Sequence, residues 1–382
     1  MNIGIIGAGI GGLTAAIAAE QLGLNPQVFE RAAEFKAVGA GITLGANAMK
    51  VFSRLGLSDR ILSHGNRLEE ALLKDASGEV LSRINLIVAG EQCNSMSVAI
   101  HRARLHEVLL GELSDVSLGH EAIQLDSDST QVTCHFKHGS SYCADRIIVA
   151  DGVRSTLREQ ILPLQPVRHA NQFCWRGVTN RKMLNQPATV EKSSGVELWG
   201  KGARFGYVPI NPDEIYWFAV VSDPLINFVT SDAEALAAIF EQAFTPVASQ
   251  LIRSTESKTI IAQPIIDRRP VDLWHRGQIV FLGDAIHPTT PNMGQGAAMA
   301  IESAYVLAQS LQQNVDAETA YQHYTKVRSS RTRQVTNQSW TIGNVAHTKS
   351  AWAASLRTTA IKLVPDRLQQ RALANFFSAV PD

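Results

Sequence analysis

The first 31 residues constrain the fold of this chain more than any other segment. An apolar run over residues 1–6 is followed directly by Gly7-Ala8-Gly9-Ile10-Gly11-Gly12, an alanine-rich segment over residues 13–22, and a second apolar run over residues 27–29 that ends at Glu30-Arg31. This order predicts a strand, a glycine turn, a helix and a second strand, whose backbone approaches a pyrophosphate at the helix N-terminus. A carboxylate about 20 positions downstream can bind a ribose hydroxyl. We expect a bound dinucleotide; a glycine turn that only packs strand on helix is the alternative.

The bulk composition excludes several classes of protein. The 382 residues suit two domains or one large composite domain, and 45% apolar and 18% charged residues are globular values. Lys plus Arg equals Asp plus Glu at 35 each, which argues against a nucleic-acid binder or a strongly electrostatic membrane binder. No apolar run approaches about 18 residues, so we expect no transmembrane segment. The chain opens without a secretory signal and its four cysteines show no disulfide framework, so we expect a cytoplasmic protein.

The remaining pattern predicts a discontinuous α/β architecture. Helices are expected over residues 46–55, 102–113, 233–244 and 294–312, followed by mainly helical sequence to the end. Short strands are expected over residues 68–100, 116–150 and 278–282, and through most of 166–262. We therefore predict a Rossmann-like dinucleotide domain of residues 1–67, 101–165 and 263–330. A β-sheet-rich substrate domain, residues 68–100 and 166–262, is inserted in it, and residues 331–382 form a C-terminal helical region.

Two motifs follow predicted buried strands. Asp151-Gly152 ends the strand over residues 146–150 and precedes Arg158, and ligands of open α/β sheets bind beyond the carboxyl ends of strands. A tight turn in which Asp151 caps the next helix is the alternative. Asp284, after the strand over residues 278–282, can accept a hydrogen bond from a sugar-like hydroxyl. His287 next to Pro288 is a candidate general base, although such histidines are more often packing groups.

Two helix starts complete the set of motifs. Gly294-Gln295-Gly296 opens the long predicted helix, so its N–H groups and helix dipole favour negative charge in front of them. Arg102 begins the helix over residues 102–113, where it can contact a cofactor phosphate. A solvated charge at a helix start is the alternative for Arg102.

These motifs, in this order and over nearly the whole chain, resemble the class A flavoprotein aromatic hydroxylases, typified by para-hydroxybenzoate and salicylate hydroxylases. The resemblance implies a para-hydroxybenzoate hydroxylase-like fold, FAD as the dinucleotide, and NADH or NADPH as a transient reductant. It implies hydroxylation of a small aromatic by dioxygen through a C4a-hydroperoxyflavin, which must be kept from water. The family usually has an acidic residue directly before the alanine of the helix at Gly296, whereas this chain has Glu302-Ser303-Ala304. The cofactor-binding candidates are Gly7, Gly9, Gly12, Glu30, Arg31, Gly41, Arg102, Asp151, Asp284, Gly294 and Gly296.

Within that family the chain most resembles the alkylquinolone 3-monooxygenases, which hydroxylate 2-alkyl-4-quinolones. The likeness lies in Glu30-Arg31-Ala32 through the glycine-rich residues 39–44, in Cys174-Trp175-Arg176, in the segments over residues 199–204 and 290–300, and near the C-terminus. A bacterial urate hydroxylase is also similar. It shares Arg204 and Tyr216 but has an aspartate where this chain has Asn292.

The predicted β-rich domain supplies the candidate substrate contacts. They are aromatic or cationic residues on predicted strands: Trp175, Arg176, Trp199, Arg204, Tyr207 and Tyr216. Ordinary sheet packing is the alternative for each aromatic. Arg204 can hold an enolate-like oxygen of the substrate, and Arg204 and His287 are the candidate catalytic residues. We expect no metal site and either a monomer or a homodimer. Urate hydroxylation, alkene epoxidation and an FAD-bound redox sensor without turnover remain alternative functions.

Overall fold

A computed structural model describes residues 1–35, 40–184, 190–222, 230–314 and 316–380. Residue 39 of the glycine-rich segment, and residues 185–189 and 223–229 of the predicted substrate domain, lie outside this description. The strands are β1 (Asn2–Ile6), β2 (Asn25–Phe29), β3 (Gly41–Leu44), β4 (Gly65–Leu68), β5 (Glu70–Asp75), β6 (Val80–Asn85), β7 (Ser97–His101), β8 (Val116–Ser117), β9 (Ala122–Ser127), β10 (Val132–Phe136), β11 (Ser141–Ala144), β12 (Arg146–Val149), β13 (Arg168–Asn180), β14 (Ser194–Trp199), β15 (Ala203–Pro209), β16 (Glu214–Ser222), β17 (Ile261–Asp267), β18 (His275–Arg276) and β19 (Ile279–Phe281).

The α-helices are α1 (Ile10–Gln21), α2 (Ala46–Arg54), α3 (Ser58–Ser63), α4 (Leu86–Glu91), α5 (Arg102–Leu110), α6 (Thr156–Ile161), α7 (Ala233–Glu241), α8 (Pro246–Arg253), α9 (Gly296–Gln313), α10 (Ala317–Ala346), α11 (Ala351–Lys362) and α12 (Asp366–Ser378). Within the described residues, no helix combines the length and the apolar character needed to span a bilayer.

The N-terminal βαβ unit is confirmed. Strand β1 pairs in parallel with β2 on one side and β12 on the other, in a six-stranded sheet of order β18-β19-β12-β1-β2-β8. Its central strands are short apolar runs buried on both faces, as parallel strands covered by helices require. Helix α1 packs against α9, and a Cβ at Gly11 would lie 3.2 Å from that of Ala300. The alanine-rich sequence of α1 permits this close approach.

The second large sheet has the order β17-β13-β16-β15-β14-β5-β6 and is antiparallel except for the parallel pair β14–β5. Because side chains alternate between the faces of a sheet, its two faces differ. One face packs against α7 and α8 through an apolar core that includes Phe205, Trp217 and Phe240. The other face carries Arg176, Arg204 and further polar groups. The sheet thus separates a conventional core from a second, largely buried face, called the polar face below, on which the arginines lie among apolar residues such as Val220.

The structure corrects three predicted elements. The segment 68–100 contains α4, whose N-cap Asn85 accepts a hydrogen bond from the Val88 N–H, and its last strand, β7, pairs with β3 and β4 in a separate small sheet. The helix expected over 233–244 is followed by a second one, because Pro246 begins α8. Helix α9 begins at Gly296 and not at Gly294, since Gly294 is left-handed with φ of 63°. The domain boundaries stay a prediction.

Candidate active site

The three motif glycines of the first turn are needed for different reasons. A Cβ at Gly12 would lie 2.0 Å from the Gly7 carbonyl oxygen. Gly7 has φ of 107°, and a Cβ there would lie 2.5 Å from the Ala150 carbonyl oxygen. At Gly9 the same Cβ meets no described atom of the chain within 4 Å. Gly7 and Gly12 therefore allow strand, turn and helix to pack, whereas Gly9 borders the open space in front of α1.

Glu30 fixes the glycine turn through its carboxylate. Its two oxygens accept hydrogen bonds from the N–H groups of Ala8 and Ala32, each at 2.9 Å. His106 contacts the Ala8 carbonyl oxygen at 2.7 Å and holds the turn from the other side. A carboxylate can accept about four hydrogen bonds, so Glu30 keeps acceptor capacity for a ribose hydroxyl.

Asp151 presents a buried acceptor at the end of β12. Its Oδ1 has no hydrogen-bond partner in the described part of the chain. Burial raises the pKa of this carboxyl to about 6, against the opposing effects of the Ser155 hydrogen bond and the Arg31 charge. Buried polar atoms are normally paired, so the orphaned oxygen marks the place of a donor from a bound molecule. This feature and the open space at Gly9 fit a dinucleotide with free hydroxyl groups.

We predict that Asp151→Asn stabilises the FAD-free protein at neutral pH while weakening FAD binding. A carboxyl whose folded pKa is raised binds more protons in the folded state, so its destabilising effect grows as the pH rises from about 4 to 6 and is complete above that window. A pKa of about 6 instead of 3.8 corresponds to at most about 3 kcal/mol. Thermal unfolding at pH 4 and pH 7 measures this; an equal difference between variant and parent at both pH values would contradict it.

Two of the predicted cofactor contacts, Gly41 and Arg102, lie where β3, α5 and β16 meet. The Arg102 N–H donates to the Ala40 carbonyl oxygen, which places the start of α5 beside Gly41. A Cβ at Gly41 would lie 2.4 Å from the Tyr216 ring, so only glycine fits there. Asp284 faces this group from the end of β19. Desolvation by the surrounding protein raises the pKa of its carboxyl, while the Arg102 charge opposes the effect.

The start of α9 rests on a buried polar network. Gln295 Oε1 accepts from Asn47 Nδ2 at 3.0 Å, and the same nitrogen donates to Glu302 Oε1 at 2.6 Å. Arg328 and Arg331 bind Glu302 through N–O distances of 2.7 and 2.8 Å and lower the pKa of its carboxyl against the effect of burial. Glu302, where the sequence departs from the family pattern, therefore positions Gln295 through Asn47. Gln295 lies between Gly294 and Gly296.

Arg204 is the centre of a second network, on the polar face of the seven-stranded sheet. Its side chain is buried and donates to Glu197 Oε1 and His347 Nε2, each at 2.9 Å, and to Asn292 Oδ1. Burial, with help from the Arg204 charge, lowers the pKa of His347 to about 3. The imidazole is therefore neutral, and its Nδ1–H donates to Ser222 Oγ at 2.9 Å.

Asn292 connects this network to the cofactor side of the molecule. Its amide nitrogen donates to Thr290 Oγ1 and to the Ser339 carbonyl oxygen, each at 2.9 Å. Helix α10 approaches it closely, since a Cβ at Gly343 would lie 2.3 Å from the amide nitrogen. The turn before α9, the end of α10 and the sheet thus meet at one buried arginine.

The structure separates the six predicted substrate contacts into two groups. Arg176, Trp199, Arg204 and Tyr216 lie on the polar face of the sheet, with the Trp199 indole donating to Glu197. Trp175 and Tyr207 lie on the opposite face, in the apolar core against α7 and α8. The alternation of β13 and β15 puts these two away from the other four, which favours the alternative of ordinary sheet packing for Trp175 and Tyr207.

His287 also lies away from the polar face. Its ring packs against Trp274 at a centroid distance of 5.3 Å, and neither ring nitrogen has a partner within the described residues. Burial, together with the Arg328 charge, lowers its pKa to about 3. A general base works best with a pKa near the working pH, which favours a packing role for His287.

Sequence reasoning missed Phe218 and His347. Phe218 lies two positions after Tyr216 on the same strand, and its ring occupies the space that a Cβ at Gly206 would fill. The two-residue period of β16 was the available signal for it. His347 follows α10, more than 140 positions after Arg204, and no local pattern predicts that contact.

Comparison with known proteins agrees with this geometry. A family described as FAD binding domain matches residues 1–339. The chain belongs to this family. It is similar to the aurachin C monooxygenase/isomerase of Stigmatella aurantiaca, with 33% identity over 98% of this chain and 97% of that protein. It is also similar to the 2-heptyl-3-hydroxy-4(1H)-quinolone synthase of Pseudomonas aeruginosa strain UCBPP-PA14, with 30% identity over 100% of this chain and 98% of that protein.

Comparison with solved structures also finds FAD-binding proteins similar to this FAD-dependent monooxygenase. The crystal structure of Klebsiella pneumoniae HpxO complexed with FAD and uric acid matches with a TM-score of 0.90 at 28% identity, over 100% of this chain and 97% of that chain. The predicted class, the α/β fold with an FAD-binding domain and a helical C-terminal region, and FAD as the cofactor are confirmed.

Proposed function

We propose that this monooxygenase hydroxylates a nitrogen-containing heteroaromatic with an oxygen substituent on its ring. A 2-alkyl-4-quinolone hydroxylated at C3 is the best candidate. Arg204 is the observation that carries the proposal. Its hydrogen bonds to Glu197, Asn292 and His347 use three of the five guanidinium N–H donors. In this proposal the two remaining donors bind a substrate oxygen and stabilise its enolate form, which has a higher electron density on the adjacent ring carbon than the neutral form.

The cofactor supplies the oxidation chemistry: FAD, reduced by NADH or NADPH, activates dioxygen for transfer of one oxygen atom to the substrate. The chain orients the reactants. Gly9, Glu30, Asp151 and Asp284 support holding FAD along the carboxyl edge of the six-stranded sheet. Phe218 offers an apolar ring between the positions of Tyr216 and Arg204 and excludes water from the substrate.

The charge of the network supports a neutral or singly ionised heteroaromatic. Glu197 is the carboxylate bound to Arg204, and Asn292 and His347 are both uncharged. Urate is the second candidate, because Arg204 and Tyr216 accompany a fold similar to that of HpxO with uric acid. The neutral Asn292 favours the quinolone over the urate proposal, since an aspartate there would add a negative charge beside the arginine.

The test is a substrate panel with FAD-loaded protein. We expect a 2-alkyl-4-quinolone to accelerate NADH or NADPH oxidation, with a product that contains one additional oxygen atom and little hydrogen peroxide. Urate and hydroxybenzoates are the matched comparisons, and running each with both nicotinamides identifies the reductant. Acceleration by urate alone would select the second candidate. FAD binding with no acceleration by any aromatic would contradict both and support a redox sensor.

A further inference from the structure

The outer side of α11 is apolar up to Lys362, the exposed charged residue at the end of the helix. Trp352, Leu356 and Leu363 recur at spacings of four and seven residues, and their side chains are 74%, 55% and 76% exposed. The other exposed positions from 351 to 361 are alanine, serine or threonine. Arg357 is the single charged residue in that stretch, and it is buried with its guanidinium on the Ala346 and Gly200 carbonyl oxygens. Exposed helices of globular proteins normally carry charge on this side.

The apolar surface continues past the end of α11. Val364, which is 44% exposed, follows Leu363 in the connection to α12, and Leu368, which is 57% exposed, lies in the first turn of α12. We define the C-terminal apolar face as Trp352, Leu356, Leu363, Val364 and Leu368. Contiguous exposed apolar surface of this kind marks a contact surface more often than isolated apolar residues do.

Basic residues flank this face. They are Lys349, Lys362, Arg367 and Arg371, whereas Asp366 is the one acid between residues 346 and 378. Lys362 bonds to Glu79 at 2.6 Å, and Arg367 and Arg371 are exposed. Residues 346–378 therefore have an excess of basic over acidic residues, although the whole chain has no net charge.

The rest of the C-terminal region is anchored, so the face has a fixed orientation. Phe377 and Ala374 of α12 pack in an apolar cluster with Ala46 and Cys93. Gln370 accepts from the Asn85 N–H at 2.9 Å. Helix α11 is thus held with its inner side on the protein and its outer side in solvent.

We propose that the C-terminal apolar face docks on the surface of an anionic phospholipid bilayer, with α11 parallel to the membrane plane. Exposed Trp and Leu with flanking Lys and Arg have the composition of interfacial helices. The charge argues against a second copy as the occupant. In a twofold symmetric interface each patch meets itself, which would bring the basic groups of both copies together. The proposal does not depend on the substrate.

Vesicle co-sedimentation of the FAD-loaded protein tests the proposal. We expect binding to vesicles of equal parts phosphatidylcholine and phosphatidylglycerol, weak binding to phosphatidylcholine alone, and release by salt. The double variant Trp352→Ser, Leu363→Ser should bind about tenfold or more weakly. Arg367→Gln with Arg371→Gln should lose the preference for the anionic vesicles, at about fivefold per charge. Leu164→Ser, at an equally exposed leucine outside the face, should bind as the parent does.

Two further measurements make the outcome decisive. Trp352→Leu should keep vesicle binding but lose the blue shift of tryptophan emission that the parent shows with anionic vesicles. Light scattering reports the oligomeric state of the parent and of the double variant. Equal vesicle binding by both, or no binding by the parent, would overturn the proposal. A dimer that the double variant converts to a monomer, without vesicle binding, would assign the face to a contact between copies.

Discussion

Gly9→Ala is expected to leave the FAD-free protein folded and to weaken FAD binding by about 10- to 100-fold, whereas Gly12→Ala is expected to damage both. The added methyl at Gly9 meets no described atom of the chain, and its φ of −72° suits alanine. It would occupy the space in front of α1 that a diphosphate needs, and overpacking of this kind costs about 1–3 kcal/mol.

The methyl at Gly12 would instead lie 2.0 Å from the Gly7 carbonyl oxygen, so the backbone itself must move. We expect a loss of more than about 2 kcal/mol in the free energy of unfolding, together with loss of FAD. Thermal unfolding of the FAD-free variants and titration by quenching of flavin fluorescence separate the two effects. FAD affinity unchanged in Gly9→Ala would show that the turn does not hold the diphosphate.

Arg204→Gln is expected to lower kcat/KM for the heteroaromatic substrate by about 10²- to 10³-fold without loss of bound FAD. Removing a positioned donor to developing charge has this magnitude, and the change also releases Glu197, Asn292 and His347 from their common partner. Peroxide formation per NADH or NADPH consumed should rise, because with a poorly oriented substrate the two electrons of the nicotinamide reduce dioxygen to hydrogen peroxide and no oxygen atom reaches the ring. Steady-state kinetics and FAD absorbance measure these effects.

Arg168→Gln is the matched control for this variant. Arg168 belongs to the same sheet and binds the buried Asp267 at 2.8 Å, outside the proposed site. It should lower the melting temperature with kcat/KM changed by less than about twofold. His347→Gln, which can still accept from the Arg204 Nε, should retain more activity than His347→Phe. Similar losses in Arg168→Gln and Arg204→Gln would attribute the effect to the stability of the sheet.

The sequence predicts those parts of the fold and site whose residues are constrained by local spacing. Gly7, Gly12 and Glu30 are constrained within one βαβ unit, so their arrangement follows from local spacing. The end of β12 and the end of β19 could be placed together because parallel strands of one sheet share an edge. For Trp175 the strand pattern left both sheet packing and substrate contact open, because it does not show which face meets α7 and α8.

The contacts that the sequence could not predict join distant segments. Arg204 and His347 meet only after β15, the turn before α9 and the end of α10 have packed. Glu302 and Asn47 likewise come from separate helices. The start of α8 at Pro246 had a local signal, proline in the first turn, that the apolar pattern of α7 obscured.

The contacts of Gly343 with Asn292 and of His347 with Arg204 come from the end of the chain, after the matched FAD binding domain. The shared family region ends at residue 339, before both of them. The segment that completes the Arg204 network therefore lies beyond the matched FAD binding domain, although the full-length relatives align with this part of the chain as well. Exchanging residues 340–380 between relatives is therefore expected to alter the contacts around Arg204 while leaving the glycine turn, Glu30 and Asp151 in place.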